Sequence, residues 1–168
     1  MLRIYNIDKN FILRKARSSP AYIGIRIQNN YREFIQIKLN QPLIKGHTYS
    51  FELYMVQSEH CKYLIRSLGV SFNERKNAYS SNNIVKKFQP QILFSNKKGL
   101  KSDDNNWKLY TAEYIAQGNE QFITIGNFSI KQSKRLVPKK FRLLPPKTKE
   151  AYIYIDDISL IDLDATID

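Results

Sequence analysis

The feature that most constrains this chain is an alternation of apolar and polar residues with a period of two, clearest over residues 107–128. Successive side chains of a β-strand point to opposite faces, whereas a helix repeats every 3.6 residues, so the pattern predicts strands. The polar segment 117–120 separates two alternating runs, 107–116 and 121–130. Two such runs joined by a short polar turn predict a β-hairpin.

The first of these runs also predicts which of its side chains are buried. Trp107, Leu109 and Thr111 occupy odd positions, and Tyr110 and Tyr114 occupy even positions. We expect the odd face to lie in the core with Trp107. The even face is then expected to be turned outward.

Similar runs recur every ten to twenty residues along the rest of the chain without amphipathic helices between them, which favours antiparallel β layers. We predict strands at 22–28, 31–39, 49–55, 62–72, 90–94 and 152–163. Residues 1–20 are interpreted as an N-terminal edge segment, with a preference for a strand, and 131–149 as a basic loop.

Two local signals refine this outline. Gly46 precedes the 49–55 run and can supply the positive φ of a turn. In the last run the apolar phase slips at Asp156-Asp157, so that Ile158 and Leu160 fall out of step with Ile155. A β-bulge at the acidic pair would restore the inward face.

Length and composition fit a single β-rich domain. A chain of 168 residues can bury a core without disulfides. Cys61 is the only cysteine, so no intrachain disulfide can form, and we expect it to be a small buried side chain. No stretch of about 18 apolar residues predicts a transmembrane helix. Neither end resembles a secretory signal, which leaves a cytoplasmic location open.

The net charge of +12 describes partners and solubility rather than fold. Residues 131–149 contain no acidic residue. A solvated loop is the first interpretation of such a run. The alternative is a polyanion site, whose candidates are Lys134, Arg135, Lys139, Lys140 and Arg142. Nucleic acid is not the expected partner, because the signatures of RRM, KH and zinc-finger modules are missing.

Four segments together resemble the jelly-roll sandwich of carbohydrate-binding, galactose-binding-like modules. They are LNQPLIKGHTYSFELYM at 39–55, the Trp107 strand, GNEQFITIGNF at 118–128 and YIYIDDISL at 152–160. The chain is most similar to the version found in Bacteroidetes cell-envelope proteins, where such a module often precedes an OmpA-like domain. The resemblance covers about residues 20–163.

This resemblance implies an all-β fold, a two-sheet antiparallel jelly-roll β-sandwich, that acts as a non-catalytic binding module. Glycan is the leading ligand class, and a protein partner in an envelope or surface assembly is the alternative. A cell-envelope or extracellular location is implied by the resemblance alone. In similar modules, a position matching Asp156 or Asp157 joins a structural calcium site. Both could ligate one cation only across a bulge, with further oxygens from elsewhere, so the first interpretation of the pair is one aspartate that caps a turn and one that is solvated.

The candidates for a ligand-binding face are polar and tyrosine side chains outside the apolar phase of their strands. They are Tyr54, Tyr110, Tyr114, Tyr154, Arg32, Gln36 and Glu52. Trp107 could also stack on a sugar ring, although core packing is the first expectation for it.

Catalysis is not expected. His47 and His60 lack metal-site spacing, and no Gly-x-Ser-x-Gly elbow is present. The carboxylates include no two that the sequence pairs in a cleft. We therefore expect no enzymatic activity and no cofactor other than the candidate calcium.

Overall fold

The computed structural model describes residues 15–18, 20–28, 31–58, 61–76, 88–100, 106–131, 136–138 and 150–166. Its regular elements within these ranges are ten β-strands. They are β1 Ile23–Ile27, β2 Phe34–Lys38, β3 Thr48–Gln57, β4 Tyr63–Ile65, β5 Ser67–Asn73, β6 Ile92–Ser95, β7 Lys108–Ile115, β8 Phe122–Gly126, β9 Leu136–Pro138 and β10 Ala151–Asp162. None of the described segments is a helix long and apolar enough to cross a bilayer.

Eight of the strands form two antiparallel four-stranded sheets that face each other. Sheet A has the order β1-β10-β3-β7, and sheet B has the order β2-β8-β5-β6. Apart from β5 and β6, which are neighbours in sheet B, successive strands of the two sheets alternate between them, as in a jelly roll. The short strands β4 and β9 form a third antiparallel pair. The predicted all-β sandwich is confirmed.

The core lies between sheets A and B and follows from the alternation of each strand. In β3 the residues Tyr49, Phe51, Leu53 and Met55 are buried, while the residues between them at positions 50, 52 and 54 are partly exposed. From the facing side, sheet B contributes buried branched and aromatic side chains to the core, among them Ile35, Val70, Phe72, Ile123 and Ile125. The expected burial of Ile35, Phe51 and Ile125 is confirmed, as is that of Cys61.

The predicted bulge in β10 is also confirmed. The pairing of β10 with β3 shifts by one residue between Asp156 and Ser159. Asp157 adopts a left-handed backbone conformation with φ of 47°, which aspartate tolerates better than most residues. The extra residue returns Leu160 to the inward side, opposite Phe51.

The predicted hairpin at 107–130 is wrong. β7 pairs with β3 in sheet A, whereas β8 pairs with β2 and β5 in sheet B. The turn between them, in which Gly118 and Asn119 have φ of 100° and 68°, therefore carries the chain from one sheet to the other. A turn reverses the chain direction in either case, so the local sequence does not distinguish the two outcomes.

Three further expectations have different outcomes. Gly46 has the predicted positive φ, at 85°. The basic segment 131–149 is not wholly a loop, because Leu136–Pro138 pairs with Tyr63–Ile65 as β9. The expected edge strand at 1–20 falls mostly on residues outside the described ranges.

The outer faces of the two sheets differ, and this difference positions the candidate site. On sheet B the outward residues Ser71, Asn73 and Thr124 are buried and hydrogen-bonded to one another or to Gln36. Beside them, a second small cluster packs Phe128 against Phe34 and Phe88. A Cβ at Gly126 would collide with the Phe34 ring, so glycine is required there. The centre of the outer face of sheet B is thus closed by its own packed side chains, although Leu93 at its edge is exposed, and the outer face of sheet A remains to be considered.

Candidate ligand-binding face

Strand pairing defines the outer face of sheet A. Because Phe51, Leu53 and Met55 point into the core, Glu52 and Tyr54 of β3 point outward. Their neighbours across the sheet point outward with them. These neighbours include Tyr152, Tyr154 and Asp156 of β10, Gly24 and Arg26 of β1, and Leu109 and Thr111 of β7.

An aromatic patch, defined as Tyr22, Trp107, Tyr152 and Tyr154, occupies one end of this face. The Tyr22 ring contacts Trp107 edge-on with centroids 5.8 Å apart, and contacts Tyr154 edge-on at 5.1 Å. Tyr152 and Tyr154 are also 5.1 Å apart. These separations are those of mutually packed aromatic rings. The four side chains therefore form one continuous surface rather than isolated rings.

The four side chains of the patch differ in their exposure to solvent. Tyr154 is buried, whereas Tyr22, Trp107 and Tyr152 are half-buried. The Tyr152 ring lies across Gly24, where any Cβ would collide with it. Burial, with a smaller contribution from Tyr154, raises the pKa of Tyr152 to about 12. Tyr152 therefore keeps its phenolic proton at neutral pH and can donate a hydrogen bond.

The faces predicted for β7 are the reverse of those observed. Trp107 is half-buried on the outer face, and Leu109 on the same side is 40% exposed. Tyr114 points inward, where it is buried and stacks on Phe72 with centroids 4.1 Å apart. Tyr110 also points inward and contacts Phe94 at 5.3 Å. Both tyrosines complete the core and cannot line the outer face.

The Tyr114 hydroxyl is fixed by a buried carboxylate. It donates a hydrogen bond to Glu120 Oε1 at 2.6 Å, and the Gln117 backbone N–H donates to the same oxygen at 2.7 Å. Burial, followed by the hydrogen bond to Glu120, raises the pKa of Tyr114. Glu120 thereby ties the end of β7 to the crossing turn.

The other predicted ligand-face residues are divided between several surfaces. Tyr54, Tyr154 and Glu52 lie on the outer face of sheet A. Gln36 lies on the outer face of sheet B and donates to Thr124 Oγ1 at 3.2 Å. Arg32, expected to point outward, is only 1% exposed and donates from Nη1 to the carbonyls of residues 127 and 129. The seven candidates do not form one face.

A short segment, residues 15–18, which we call the N-terminal strap, lies against this face. The Arg17 guanidinium carbon is 3.5 Å from the centroid of the Tyr54 ring, and Nη1 is 2.5 Å from Asp157 Oδ2. The Ser18 hydroxyl donates to Asp157 Oδ1. Trp107 Nε1 donates to the Lys15 carbonyl at 3.3 Å. The strap thus contacts the aromatic patch and the acidic bulge together.

These contacts bear directly on the acidic pair. Hydrogen bonds from Ser18 and then from Arg17 lower the pKa of Asp157, and the hydrogen bond to Asp157 raises the pKa of Arg17. Asp156 Oδ2 accepts from the Arg17 backbone N–H at 2.9 Å, and its Oδ1 accepts from the Asp157 N–H at 2.9 Å. All four carboxylate oxygens therefore accept a hydrogen bond from the protein.

This arrangement does not fit a calcium ion. Ca²⁺ takes six to eight oxygen ligands, and here a guanidinium already neutralises the carboxylate of Asp157. We expect EDTA to leave the melting temperature of the wild-type protein unchanged, and added Ca²⁺ not to raise it. The measurement is thermal unfolding in each buffer, with Arg17→Ala as the comparison, because that change frees the carboxylate. Stabilisation of the wild-type protein by Ca²⁺ would contradict this expectation, since a ligand that binds the folded state raises its stability.

Another group of metal-ligand residue types lies at the opposite end of β3. In the described part of the chain, His47, Asp162 and Asp164 bring one ligand atom each within 4.8 Å of one another. These side chains already have hydrogen-bond partners within the protein. His47 Nδ1 is 2.9 Å from Asp162 Oδ2, and the Thr48 N–H donates to Asp164 at 2.6 Å. It therefore serves to join the start of β3 to the end of β10.

Sequence reasoning missed three residues of the outer face, namely Tyr22, Tyr152 and Arg17. Tyr22 and Tyr152 share the outward phase of Gly24 and Tyr154 once the pairing of β1 with β10 is known. The only signal in the sequence was that phase. The polyanion candidates Lys134, Arg135, Lys139, Lys140 and Arg142 lie outside the described residues.

The fold and this face define an antiparallel jelly-roll β-sandwich with an aromatic patch on one outer surface. Comparison of the chain with protein-family models, with curated proteins and with solved structures finds no match.

Proposed function

We propose that this β-sandwich is a non-catalytic carbohydrate-binding module and that the aromatic patch is its ligand site. The observation that carries the proposal is the continuous packing of Tyr22, Trp107 and Tyr154 on the outer face of a sheet whose other face is the core. Aromatic rings offer an apolar surface on which the C–H face of a pyranose can stack. The envelope location remains a prediction.

Polar groups beside the patch supply what an apolar surface lacks. The Tyr152 hydroxyl stays protonated at neutral pH, and Arg26 of β1 points outward directly opposite Tyr152. Glu52 lies further along the same face, four residues from the position of β3 that pairs with Tyr154. A sugar presents hydroxyl groups around an apolar ring face, so a site needs both kinds of contact. The strap borders this site through the contacts of Arg17 with Tyr54 and of Lys15 with Trp107.

The test uses the single tryptophan of the chain as a probe. A glycan array identifies a ligand, and titration of that glycan into wild-type protein is expected to change the emission of Trp107. Trp107→Ala is expected to weaken binding, measured by calorimetry, by about 10-fold or more, equivalent to about 1.4 kcal/mol. Leu93→Ala is the matched control, because this residue is 55% exposed on sheet B, away from the patch.

Two results would refute the proposal. One is the absence of binding to every glycan on the array. The other is an affinity of Trp107→Ala equal to that of the wild-type protein, which would show that any bound glycan lies elsewhere.

A protein-interaction module is the second candidate, favoured by the other end of the same face. Ile115, Ile161 and Leu163 are 60%, 53% and 52% exposed, and strand pairing places them in adjacent rows around Thr48 and Ser50. Contiguous exposed apolar residues are typical of protein contacts. Loss of glycan binding combined with recovery of a specific protein ligand would favour this alternative.

A further inference from the structure

The two sheets end in four edge strands, and these differ in length. The edges are β1 and β7 in sheet A and β2 and β6 in sheet B. β7 has eight residues, whereas β1 and β2 have five each and β6 has four. A long edge strand presents a row of N–H and C=O groups to which another strand can be added.

The opposite edge of sheet A is protected. The Arg26 N–H of β1 donates to the Glu33 side chain at 2.7 Å, and the Arg26 carbonyl accepts from the Glu33 N–H at 3.0 Å. Just after β1, the Gln28 N–H is also bonded and donates to the Tyr31 carbonyl at 2.7 Å. The edge-facing backbone groups of Arg26 and the N–H of Gln28 are therefore already bonded, which protects the second half of this edge.

On β7 the hydrogen-bonding groups that point away from β3 belong to the odd-numbered residues. Just beyond the strand, the Ala116 N–H donates to the His47 carbonyl at 2.9 Å, toward β3. Peptide groups of an antiparallel strand point alternately to its two sides, so Leu109, Thr111 and Glu113 direct theirs to the edge. The described residues provide no hydrogen-bond partner there for Thr111 or Glu113.

The side chains along this edge suit close pairing. Thr111 and Glu113 are exposed, as are the apolar Leu109 and Ile115 at 40% and 60%. The strand carries one lysine and one glutamate, so its own charges balance. Proline, which would block an added strand, is absent from β7.

We propose that two copies of this chain associate by antiparallel pairing of their β7 strands, which makes one continuous eight-stranded sheet from two copies of sheet A. Because the odd-numbered residues direct their peptide groups to the edge, odd residues of one copy pair with odd residues of the other. The two-fold axis that relates the copies can then pass through Thr111. This register gives the longest overlap, residues 107–115, and places Ile115 opposite Trp107 of the second copy. It also sets Glu113 opposite Leu109 of the second copy, which keeps the two carboxylates apart. An axis at Glu113 would place like charges directly opposite each other.

The net charge predicts how this dimer responds to salt. Each copy carries +12, so the two repel each other, and screening by salt reduces that repulsion. The dimer is therefore expected to strengthen as salt is raised from about 50 mM to about 500 mM. An acidic peptide added to the same edge would show the opposite dependence.

The register is tested by cysteine substitution in the full chain. The Thr111→Cys thiols would meet across the axis, where hydrogen-bonded residues have Cα atoms about 5.5 Å apart, within the range of a disulfide. Glu113→Cys is the matched control on the same exposed edge, because its two copies would be separated by about 13 Å. We expect Thr111→Cys to form a cross-linked dimer on a non-reducing gel under mild oxidation and Glu113→Cys to remain monomeric. Equal cross-linking of the two variants would overturn this register.

Association itself is measured by sedimentation of the wild-type chain from about 10 μM to about 1 mM, a range that detects weak dimers. The mass is expected to rise toward that of a dimer. Thr111→Pro is expected to remain monomeric with an unchanged circular dichroism spectrum, because the N–H it removes points to the edge rather than to β3. A wild-type chain that stays monomeric at every concentration and salt level overturns the proposal, including the case in which only an added peptide binds β7.

Discussion

Replacement of Phe51 by alanine is expected to lower the free energy of unfolding by about 3–5 kcal/mol, the range for deleting a large buried aromatic side chain. Phe51 is fully buried in the middle of β3 and contacts the Phe72 ring of the opposite sheet edge-on, with centroids 6.3 Å apart. The cavity would open between the two sheets, where packed strands relax little. Urea unfolding followed by circular dichroism gives the change, provided that the slope with denaturant is unaltered.

The control for Phe51 is Leu93→Ala, which removes an apolar side chain that is 55% exposed. Its cost is expected to be within about 0.5 kcal/mol, because exposed positions contribute little. A cost for Phe51→Ala below about 1 kcal/mol would mean that this ring does not lie between the sheets, and the sandwich would have to be revised.

The second large effect is expected from Glu120→Ala, with a loss of about 2–4 kcal/mol, because removal of a buried acceptor leaves its donors unpaired. The donors are the Tyr114 hydroxyl and the Gln117 N–H, both bonded to Glu120 Oε1. Glu120 is itself 4% exposed, so water does not readily replace it. Thermal and urea unfolding measure the loss.

Glu120→Gln is the matched variant, because it keeps an oxygen where Oε1 accepts both hydrogen bonds. We expect it to recover most of the stability lost in Glu120→Ala. Equal destabilisation by the two substitutions would indicate that the charge of Glu120, rather than its hydrogen bonds, stabilises the crossing turn.

The sequence determined the strands best where one face is core and the other is not. β3 shows this plainly, since its inward residues are apolar and its outward residues include Ser50 and Glu52. The bulge in β10 could be predicted for the same reason, because the inward phase had to be recovered after Asp156. In both strands the pattern along the chain is sufficient, since each position reports its own burial.

β7 shows why the same reasoning failed elsewhere. Both of its faces carry large apolar or aromatic side chains, so alternation alone does not identify the buried one. Pairing with β3 decides it, because Tyr114 and Tyr110 lie beside the inward residues Tyr49 and Leu53. That register pairs residues more than fifty positions apart, so no local sequence pattern predicts it.

The candidate site was predictable only in part for a related reason. Tyr54 and Tyr154 were identified from the phase of their strands, and both lie on the outer face of sheet A. Arg17 and Tyr22 join them through contacts with Asp157 and Trp107, which are distant in sequence. The outer face is assembled from four strands and the strap. Which of them lie side by side depends on the topology, and the periodicity of a single strand does not reveal it.

The place of β10 in sheet A has a consequence for how the chain is made. β10 lies between β1 and β3, so these two strands meet no partner between them until β10 has left the ribosome. Formation of sheet A must therefore wait for β10, which is translated after the other seven strands of the two sheets. During that interval both strands have open edges, when a nascent chain of this topology is most exposed to aggregation and most dependent on chaperones.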